Sequence, residues 1–461
     1  MVTIAAIQDE IKKSSARAVV EAAIQKAKDN DEYHALLSLT EDRALERADK
    51  VDAGEIVGRL AGVPFVVKDN FLAFGAPTTA ASKMLENFDA PLQATAVEKL
   101  EREGAICIGK SNLDAFAHGG STENSAFGPT KNAADKTRVA GGSSGGSAVV
   151  TALEVVPFAL GSDTGGSIRQ PASFNGVIGI KPTYGTVSRY GVVAMASSTD
   201  TIGCFATNTD DAAMVMEIMA GRDERDMTTL PDFFKPTKAT PGQKIGLIKD
   251  AMSSDVDPEV RARVSDYAEK LRAAGHTVEE VDLSMLKYSL AVYYIVVPAE
   301  VSSNLARYDG VRYGHRAKAT SLAQLYGKSR DEGFVTENKR RIMIGSYVLS
   351  SGYFDAYYLK AQKARTLLIN EFNALFEKYD VLLCPVVPTP AFKLGEKTDD
   401  PVTMYLADIM TVPASLAGLP AISVPAGNTK DGLPVGAQLI GARRSDAKLL
   451  ALAGSLEVNN G

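Results

Sequence analysis

Short apolar runs alternate with longer amphipathic segments along most of the chain, and this alternation predicts an α/β fold. Apolar residues recur at helical spacing in segments 94–103, 208–219 and 258–274. The short runs, which predict strands, are residues 62–67, 105–109, 156–160, 244–248, 276–281, 381–384, 421–425 and 435–440. Strands that alternate with helices in this way form βαβ units. The pattern therefore predicts a central mixed, mostly parallel sheet with helices on both faces.

The chain is predicted to form one large domain, 1–461, with five successive regions, because large α/β enzymes can be single units. Residues 1–57 carry helical patterns, and residues 58–225 hold glycine- and serine-rich motifs. Residues 226–283 return to the sheet. Residues 284–376 are almost wholly helical in pattern and rich in tyrosine, which indicates a helical insertion over one sheet edge. Residues 377–461 supply the last strands and a C-terminal helix.

Composition and charge exclude several classes of protein. Hydrophobic residues make up 45% of the chain and charged residues 23%, as in globular proteins. No apolar run reaches the roughly 18 residues of a membrane span, and the first residues, with Asp9 and Glu10, do not resemble a signal peptide. The net charge is −6 and the sequence has no block of lysine and arginine, so it lacks the basic patch that is typical of nucleic-acid-binding proteins. We expect a cytoplasmic protein that does not bind a membrane.

Residue types that bind metals or activate nucleophiles are scarce in this chain. The three cysteines are widely spaced, which argues against both a disulfide framework and a zinc site. The four histidines lie in surroundings that tie none of them to a recognisable serine triad. These seven residues are Cys107, Cys204, Cys384, His34, His118, His276 and His315.

Two glycine- and serine-rich stretches, GGSSGGS at 141–147 and GSDTGGSIRQP at 161–171, carry the clearest candidate chemistry. Between them lie helix-forming residues and the apolar run 156–160, so the order is loop, helix, strand, loop. In a parallel α/β layer this order brings Ser143 and Ser167 to one sheet edge, where such sheets bind ligands. A flexible linker would not normally lie between buried strands, and the Gly-Lys-Ser/Thr ending of a phosphate-binding loop is missing.

A serine nucleophile needs a proton acceptor, and Lys68 is the best candidate for that role. It follows the apolar run 62–67, so it ends a strand and enters the same edge as the two serine loops. Burial disfavours the ammonium form and lowers a lysine pKa from about 10.4, which leaves a neutral amine able to take a proton. Most lysines at strand ends are solvated, so Lys68 becomes informative only together with the serine loops.

The stretches GVPFVVKDN, GGSSGGSA and GSDTGGSIRQPA resemble the amidase signature family, whose members use a serine, a cis-serine and a lysine. The resemblance implies that Ser167 is the nucleophile, that Ser143 is the bridging serine after a cis peptide bond, and that Lys68 is the base. It also implies attack on an amide carbonyl, release of ammonia and hydrolysis of an acyl-enzyme.

The same resemblance assigns roles to the residues around the nucleophile. Backbone N–H groups of Thr164, Gly165 and Gly166 would form the oxyanion hole, since glycine lets the main chain approach a substrate closely. Asp163 and Arg169 flank the nucleophile and are expected to support the shape of its loop by hydrogen bonds. The alternative for this pair is an ordinary surface ion pair.

A longer set of motifs spans nearly the whole chain. They are KPTYGTVSRYG at 181–191, YY at 293–294, SSNL at 302–305, RYDGVRYG at 307–314, KRRI at 339–342, SSGY at 350–353 and DDP at 399–401. These motifs resemble one branch of the family more narrowly, the A subunits of tRNA-dependent amidotransferases, which are glutaminases.

Free glutamine carries a carboxylate and an ammonium besides its carboxamide, so a selective pocket needs one fixed cation and one fixed anion. The resemblance places Arg341 on the carboxylate and Asp408, in a predicted helix 404–412, on the ammonium. Tyr293 would line this pocket. The alternative for Arg341 is a solvated residue in a Lys-Arg-Arg cluster.

The polar loop 119–128 is a further candidate part of the substrate site. The resemblance places Gly120 and Ser121 of this loop beside the substrate. A solvent-exposed loop with ordinary turn residues is the alternative interpretation.

The resemblance further implies that the ammonia is delivered to a partner. A B subunit would bind the tRNA and activate Glu-tRNA(Gln) with ATP and magnesium, and a small C subunit would complete a heterotrimer. Ammonia would reach the B subunit through a channel, and Asp-tRNA(Asn) would be a second acceptor. This chain would then need no cofactor or metal of its own.

Two other functions stay open from the sequence. A stand-alone amidase of the same family would act on a hydrophobic or aromatic amide and would not need Arg341 and Asp408. A non-catalytic scaffold protein would have no reason to keep a buried lysine, whose desolvation is costly. The chain departs from the family pattern at Ala140, Ala115 and His118, which leaves the triad and the proposed glutamine contacts intact.

Overall fold

In the computed structural model the described residues are 1–397 and 401–457, so the first two positions of the 399–401 motif lie outside them. Eleven strands within these residues form one sheet. They are β1 Leu36–Leu39, β2 Pro64–Lys68, β3 Ile106–Ser111, β4 Phe158–Asp163, β5 Ile178–Lys181, β6 Thr201–Ala206, β7 Lys244–Ile248, β8 Thr277–Val281, β9 Val381–Pro385, β10 Ala421–Asn428 and β11 Pro434–Gly441. Their spatial order is β1-β3-β2-β4-β6-β5-β10-β11-β9-β7-β8.

Helices cover the sheet on both faces. In the part of the chain that is described they are α1 Ile4–Lys13, α2 Ala16–Asp29, α3 Glu41–Asp52, α4 Thr95–Arg102, α5 Gly145–Ala152, α6 Arg169–Asn175, α7 Thr209–Met219, α8 Pro258–Ala273, α9 Leu286–Asn304, α10 Leu322–Gly333, α11 Thr336–Val348, α12 Lys360–Phe376, α13 Pro401–Leu406, α14 Val412–Leu416 and α15 Asp446–Glu457. A π-helix, Phe354–Leu359, precedes α12. No helix in the described ranges is both long and apolar enough to cross a bilayer.

Alternate residues of the strands enter two separate cores. Phe65 and Val67 of β2 pack in one core with α4, α7, α8 and α15, whereas Val66 faces the opposite core beneath α2, α3 and α5. At the far end of the sheet α9 and α12 cover the second face. Successive residues of a strand point to opposite faces of the sheet. Because both faces are buried here, nearly every strand position is apolar, and the strands appear in the sequence as continuous apolar runs.

The predicted α/β class, the mixed sheet and the helices on both faces are confirmed, but the predicted dominance of parallel pairs is wrong. Among the ten neighbour pairs of described strands, six are antiparallel and four are parallel. One reason is β6, which the apolar pattern did not predict and which lies antiparallel between β4 and β5. Another is the hairpin of β10 and β11, whose short turn reverses the chain.

The part of the sheet that positions the site is parallel. Val66 of β2 pairs with Ala159 of β4, and Val67 pairs with Leu160, so both strands end at the same edge. Lys68 is the last residue of β2, and Asp163 is the last residue of β4. The glycine- and serine-rich loops therefore meet at this edge.

Candidate active site

Lys68 and Ser143 are in direct contact at the sheet edge. Lys68 Nζ lies 2.8 Å from Ser143 Oγ and 3.0 Å from Ser162 Oγ, and all three side chains are buried. The peptide bond between Gly142 and Ser143 is cis, as the resemblance implied. The chain therefore brings the predicted base and the predicted bridging serine together over 75 residues of sequence.

The environment of Lys68 favours its neutral form. Burial lowers the pKa of Lys68 to about 7, although Asp114, Asp163 and Asp200 act to raise it. A neutral amine has two N–H donors and one lone pair. The carbonyl oxygen of Ser162 lies 3.4 Å from Nζ and its hydroxyl 3.0 Å, so both can accept those donors and leave the lone pair for the Ser143 hydroxyl.

Ser167 lies on the neighbouring loop, where Ser144 N–H donates to its carbonyl oxygen at 3.1 Å. Ser167 is 8% exposed, so it is buried but not completely closed off from solvent. Within the described residues no hydrogen bond joins Ser167 Oγ to Ser143 Oγ. Catalytic hydrogen bonds are often loose before substrate binds and tighten afterwards. The structure thus places Ser167 on the loop that contacts the Ser143–Ser144 segment, without a hydrogen bond between the two hydroxyl groups.

The turn before Ser167 offers backbone donors, but not the full predicted set. Gly166 N–H donates to Asp163 Oδ1 at 2.8 Å and is therefore not free for an oxyanion. This differs from the expectation for Gly166, because the Asp163 carboxylate at the strand end collects the N–H groups of the turn. Those of Thr164, Gly165 and Ser167 have no acceptor in the described part of the chain.

Asp163 and Arg169 form a fully buried ion pair, which excludes the interpretation as a surface pair. Arg169 Nη2 donates to Asp163 Oδ1 at 2.9 Å and Arg169 Nε donates to Oδ2 at 3.0 Å. Arg169 also donates to the Thr411 carbonyl at 2.8 Å and to Gln438 Oε1 at 2.6 Å. Burial opposes ionisation of Asp163, but the neighbouring arginine leaves its pKa below the usual value.

Two glycines of the turn are needed for close packing. A Cβ on Gly165 would lie 2.6 Å from Cζ of Tyr293, and a Cβ on Gly166 would collide with the Thr411 side chain. Thr411 Oγ1 donates to the Gly165 carbonyl at 2.5 Å. The turn is therefore clamped between α9 and the C-terminal part of the chain.

Arg341 and Asp408 line one pocket, together with Gly120 and Ser121. Arg341 lies on α11 and is only 3% exposed, so the interpretation as a solvated surface residue is wrong. Gly120 and Ser121 are buried, which excludes a fully solvated loop. The structure thus brings together four of the five residues that were predicted to bind substrate.

The fifth residue, Tyr293, does not line this pocket. Its ring contacts Gly165 and lies 5.1 Å from the ring of Tyr294, centroid to centroid. Of these two adjacent tyrosines, Tyr294 is the one that lines the pocket. Consecutive residues of a helix point about 100° apart, so Tyr293 packs against the turn 164–167, whereas Tyr294 lines the pocket.

The guanidinium of Arg341 is held in place from one side. Its Nε donates to Glu337 Oε1 at 2.8 Å, and Tyr405 Oη donates to the same oxygen at 2.8 Å. The group lies 4.9 Å from the ring centroid of Tyr294 and 5.3 Å from that of Tyr405. Its two Nη atoms have no acceptor in the described ranges, which leaves a fork able to bind a carboxylate.

Asp408 provides a negative group across the pocket. It lies in the turn between α13 and α14, so the predicted helix 404–412 is wrong at this point. Tyr294 Oη donates to Asp408 Oδ2 at 3.2 Å. Burial raises the pKa of Asp408 to about 7, against the opposite effect of Arg341.

Several residues of the site were not predicted. Ser162 and Asn70 belong to the surroundings of Lys68, where Asn70 Nδ2 donates to Ser162 Oγ at 3.0 Å. Glu337 lies four residues before Arg341 on one helix, a spacing that could have revealed the pair. Tyr405 stacks on Tyr294 over a long sequence distance, which no local pattern signals.

The three departures from the family pattern, Ala115, His118 and Ala140, are all buried. His118 is buried, and its Nδ1 lies 2.6 Å from the Phe116 carbonyl, whereas Nε2 has no partner in the described residues. Burial lowers the pKa of His118 to about 3, with Arg341 acting in the same direction. The imidazole of His118 is therefore neutral. No cluster of three metal-binding side chains occurs in the described residues.

A lysine, a serine after a cis peptide bond and a serine in a glycine turn, at one edge of a mixed sheet, define a class of hydrolases without a catalytic histidine. Residues 18–450 match the model of the Amidase family. The chain belongs to this family, the amidase signature enzymes.

Individual relatives are similar over nearly the whole chain. The A subunit of glutamyl-tRNA(Gln) amidotransferase from Koribacter versatilis is 52% identical, over 98% of this chain and 96% of the relative. The protein of the same name from Thermosynechococcus vestitus is 51% identical, over 97% and 95%. The crystal structure of the corresponding protein from Thermotoga maritima, again the A subunit of glutamyl-tRNA(Gln) amidotransferase, matches with a TM-score of 0.83 at 41% identity, over 99% of this chain and 94% of that one.

Proposed function

We propose that this chain is the glutaminase subunit of a tRNA-dependent amidotransferase that converts Glu-tRNA(Gln) to its amide. The observation that carries the proposal is the pocket with Arg341 and Asp408 on its walls. Thr411 Oγ1 lies within hydrogen-bond distance of both the Asp408 carbonyl and the Gly165 carbonyl, so this wall of the pocket adjoins the turn 164–167. Its cation and its anion match the two charged groups on the α-carbon of glutamine. The similarity to the A subunits of such enzymes over nearly the full length supports the same function.

The proposed reaction begins with the buried amine. Neutral Lys68 takes the proton of Ser143, whose oxygen takes the proton of Ser167 as the latter attacks the carboxamide carbon. The negative oxygen of the tetrahedral intermediate accepts hydrogen bonds from the free N–H groups of the turn. The proton returns along the same relay to the leaving nitrogen, the carbon–nitrogen bond of the intermediate breaks, and ammonia departs while the acyl group stays on Ser167 as an ester. A water molecule then attacks the ester by the same route and releases glutamate.

Glutamine binding is proposed to use opposite walls of the pocket. The Arg341 fork holds the α-carboxylate, and Asp408 holds the α-ammonium. Tyr294 orients Asp408 through its hydroxyl and supports Arg341 through its ring. Both charges of the substrate are thereby paired, so that the carboxamide end is directed toward Ser167.

The partners follow from the fate of ammonia. We propose that a B subunit receives it through a channel, binds the tRNA and activates Glu-tRNA(Gln), and Asp-tRNA(Asn) where that substrate is used, with ATP and magnesium. A small C subunit completes the heterotrimer. This chain then holds no cofactor itself, and the complex acts in the cytoplasm, where the charged tRNA is made and used.

The proposal is tested by the release of ammonia and glutamate from glutamine. The purified chain is assayed alone, and then with its B and C partners, ATP and charged tRNA. Turnover should rise with the partners and should disappear in Ser167→Ala, which controls for contaminating glutaminase. Absence of glutamine turnover in every mixture, together with rapid hydrolysis of aryl or alkyl amides by the chain alone, would instead identify a stand-alone amidase.

Replacement of Asp408 by asparagine is expected to raise KM for glutamine roughly 10- to 100-fold, because one charged hydrogen bond is lost. In the wild type, KM should rise as the pH falls below about 7, where the carboxyl takes up a proton. The Asp408→Asn variant should lose that pH dependence of KM. Steady-state kinetics from about pH 5.5 to about 8.5 measures both effects, because such profiles report the pKa values of groups in the site.

The matched control for Asp408→Asn is a substrate rather than a variant. The glutamine analogue 4-carbamoylbutanoate lacks the ammonium, so its KM should be the same for the wild type and for Asp408→Asn. An equal rise of KM for both substrates would contradict the assignment of Asp408 to the ammonium.

A further inference from the structure

Gln170 is a buried residue whose side chain faces two parts of the site. It follows Arg169 in α6 and is fully buried. Its Oε1 accepts a hydrogen bond from Gly142 N–H at 2.8 Å, directly before the cis peptide bond to Ser143. An N–H group needs an acceptor, so this bond fixes the orientation of the amide and turns Nε2 the other way.

The Nε2 atom of Gln170 has no acceptor among the described residues. A buried donor without an acceptor costs free energy, and the great majority of buried polar atoms in native proteins are paired. A donor that is buried, correctly oriented and unpaired is therefore suited to a ligand that carries an acceptor.

Nε2 points toward Gly120, which lines the proposed substrate pocket together with Asp408. A Cβ placed on Gly120 would lie 3.3 Å from Gln170 Nε2 and 3.6 Å from Asp408 Oδ1. The backbone of Gly120 does not require glycine, since its φ lies outside the left-handed region. The missing side chain at position 120 thus leaves a gap bordered by one neutral donor and one carboxylate.

The geometry of this gap indicates which group of glutamine would lie in it. Asp408 attracts the α-ammonium, and in an amino acid the carboxylate is attached to the same carbon. The carboxamide to be cleaved is two methylene groups further away and belongs at Ser167. The acceptor within reach of Gln170 Nε2 is therefore a carboxylate oxygen.

We propose that Gln170 is a specificity-determining residue that donates Nε2 to the α-carboxylate of the substrate and holds Gly142 with Oε1. The inference rests on the proposed glutaminase function. Arg341 would form an ion pair with the carboxylate, and Gln170 would donate a hydrogen bond from a neutral amide. Because one amide group contacts both the substrate and the residue before Ser143, occupation of the pocket also fixes the cis-serine loop.

The test replaces Gln170 by glutamate or by methionine in the complex with the B and C partners. Glutamate keeps an acceptor for Gly142 but sets a carboxylate against the substrate carboxylate, whereas methionine keeps the length and loses both bonds. Two substrates are compared, glutamine and 4-aminobutanamide, which is glutamine without its carboxylate. The measured quantity is the ratio of their kcat/KM values, which does not depend on the folded fraction of a preparation.

In Gln170→Glu this ratio should fall about 10- to 100-fold, through a higher KM for glutamine, because a bond to a charged group is replaced by repulsion. The ratio should also fall in Gln170→Met, where kcat for 4-aminobutanamide declines as well, since Gly142 loses its acceptor. Gln243 is a buried glutamine directly before β7, and Gln243→Glu serves as the matched control with an unchanged ratio.

The possible failures are distinguishable. Absence of glutamine turnover by the wild-type complex overturns the proposed function, and this inference with it. Normal wild-type turnover with an unchanged substrate ratio in both Gln170 variants overturns this inference alone, and Gln170 is then a structural support of the cis-serine loop.

Discussion

Replacement of Lys68 by methionine is expected to lower kcat for glutamine hydrolysis by about 10²- to 10⁴-fold, the usual contribution of a general base. Lys68 is the group that contacts Ser143, at 2.8 Å, and its buried amine has a pKa near 7. Methionine fills the same space without a lone pair that can take the proton. Single-turnover release of ammonia, measured on the complex, reports the chemical step directly.

The Lys68→Arg variant distinguishes the loss of a proton acceptor from the loss of a positive charge at this position. A guanidinium stays protonated at all accessible pH values, so the variant should be as inactive as Lys68→Met. In the wild type kcat should rise with pH through about 7, as Lys68 loses its proton, and then reach a plateau. Substantial activity in Lys68→Arg, or a wild-type kcat independent of pH, would exclude Lys68 as the base.

Replacement of Arg169 by methionine is expected to lower the free energy of unfolding by about 3–5 kcal/mol, because Asp163 is left as a buried charge without its partner. Neither side chain of the pair is exposed. Gly166 N–H depends on the same carboxylate, so activity should fall together with stability. Urea denaturation of the purified chain measures the loss.

Two further variants show whether the loss of stability in Arg169→Met comes from breaking the Asp163–Arg169 ion pair. Arg17→Ala removes an exposed arginine that pairs with Asp49, and it should leave the unfolding midpoint nearly unchanged. Asp163→Asn combined with Arg169→Met should cost clearly less than the sum of the two single changes, because no lone charge is buried. Additive losses would show that the two residues act independently.

The sequence was sufficient to predict that the residues of the local motifs come together at one edge of the sheet. Lys68, Ser143 and Ser167 each occur in a short, glycine-rich or apolar context whose strand ends could be predicted. The buried state of Arg341 could not, since a Lys-Arg-Arg run on a helix is usually solvated. Its burial depends on the rings of Tyr294 and Tyr405, which come from distant segments.

Errors in the predicted fold have the same origin. Strand β6 contains a central glycine and follows a polar serine-rich stretch, so its apolar pattern is weak, and its position between β4 and β5 is decided by pairing. At the site, the availability of the Gly166 N–H group could likewise not be predicted from the sequence. Which N–H groups of a turn stay free depends on where the Asp163 carboxylate lies, and only the structure reveals this.

The hydrogen bonds that hold the turn 164–167 in place through Arg169, here called the clamp, have a consequence for protein synthesis. Arg169 is bonded to the carbonyl of Thr411, 242 residues further along the chain, and to Gln438, 269 residues further along. Lys68, Ser143 and Ser167 leave the ribosome long before those two contacts can form. A nascent chain therefore carries all three side chains before the contacts that shape their turn can form, and the clamp is absent until residue 438 has been translated.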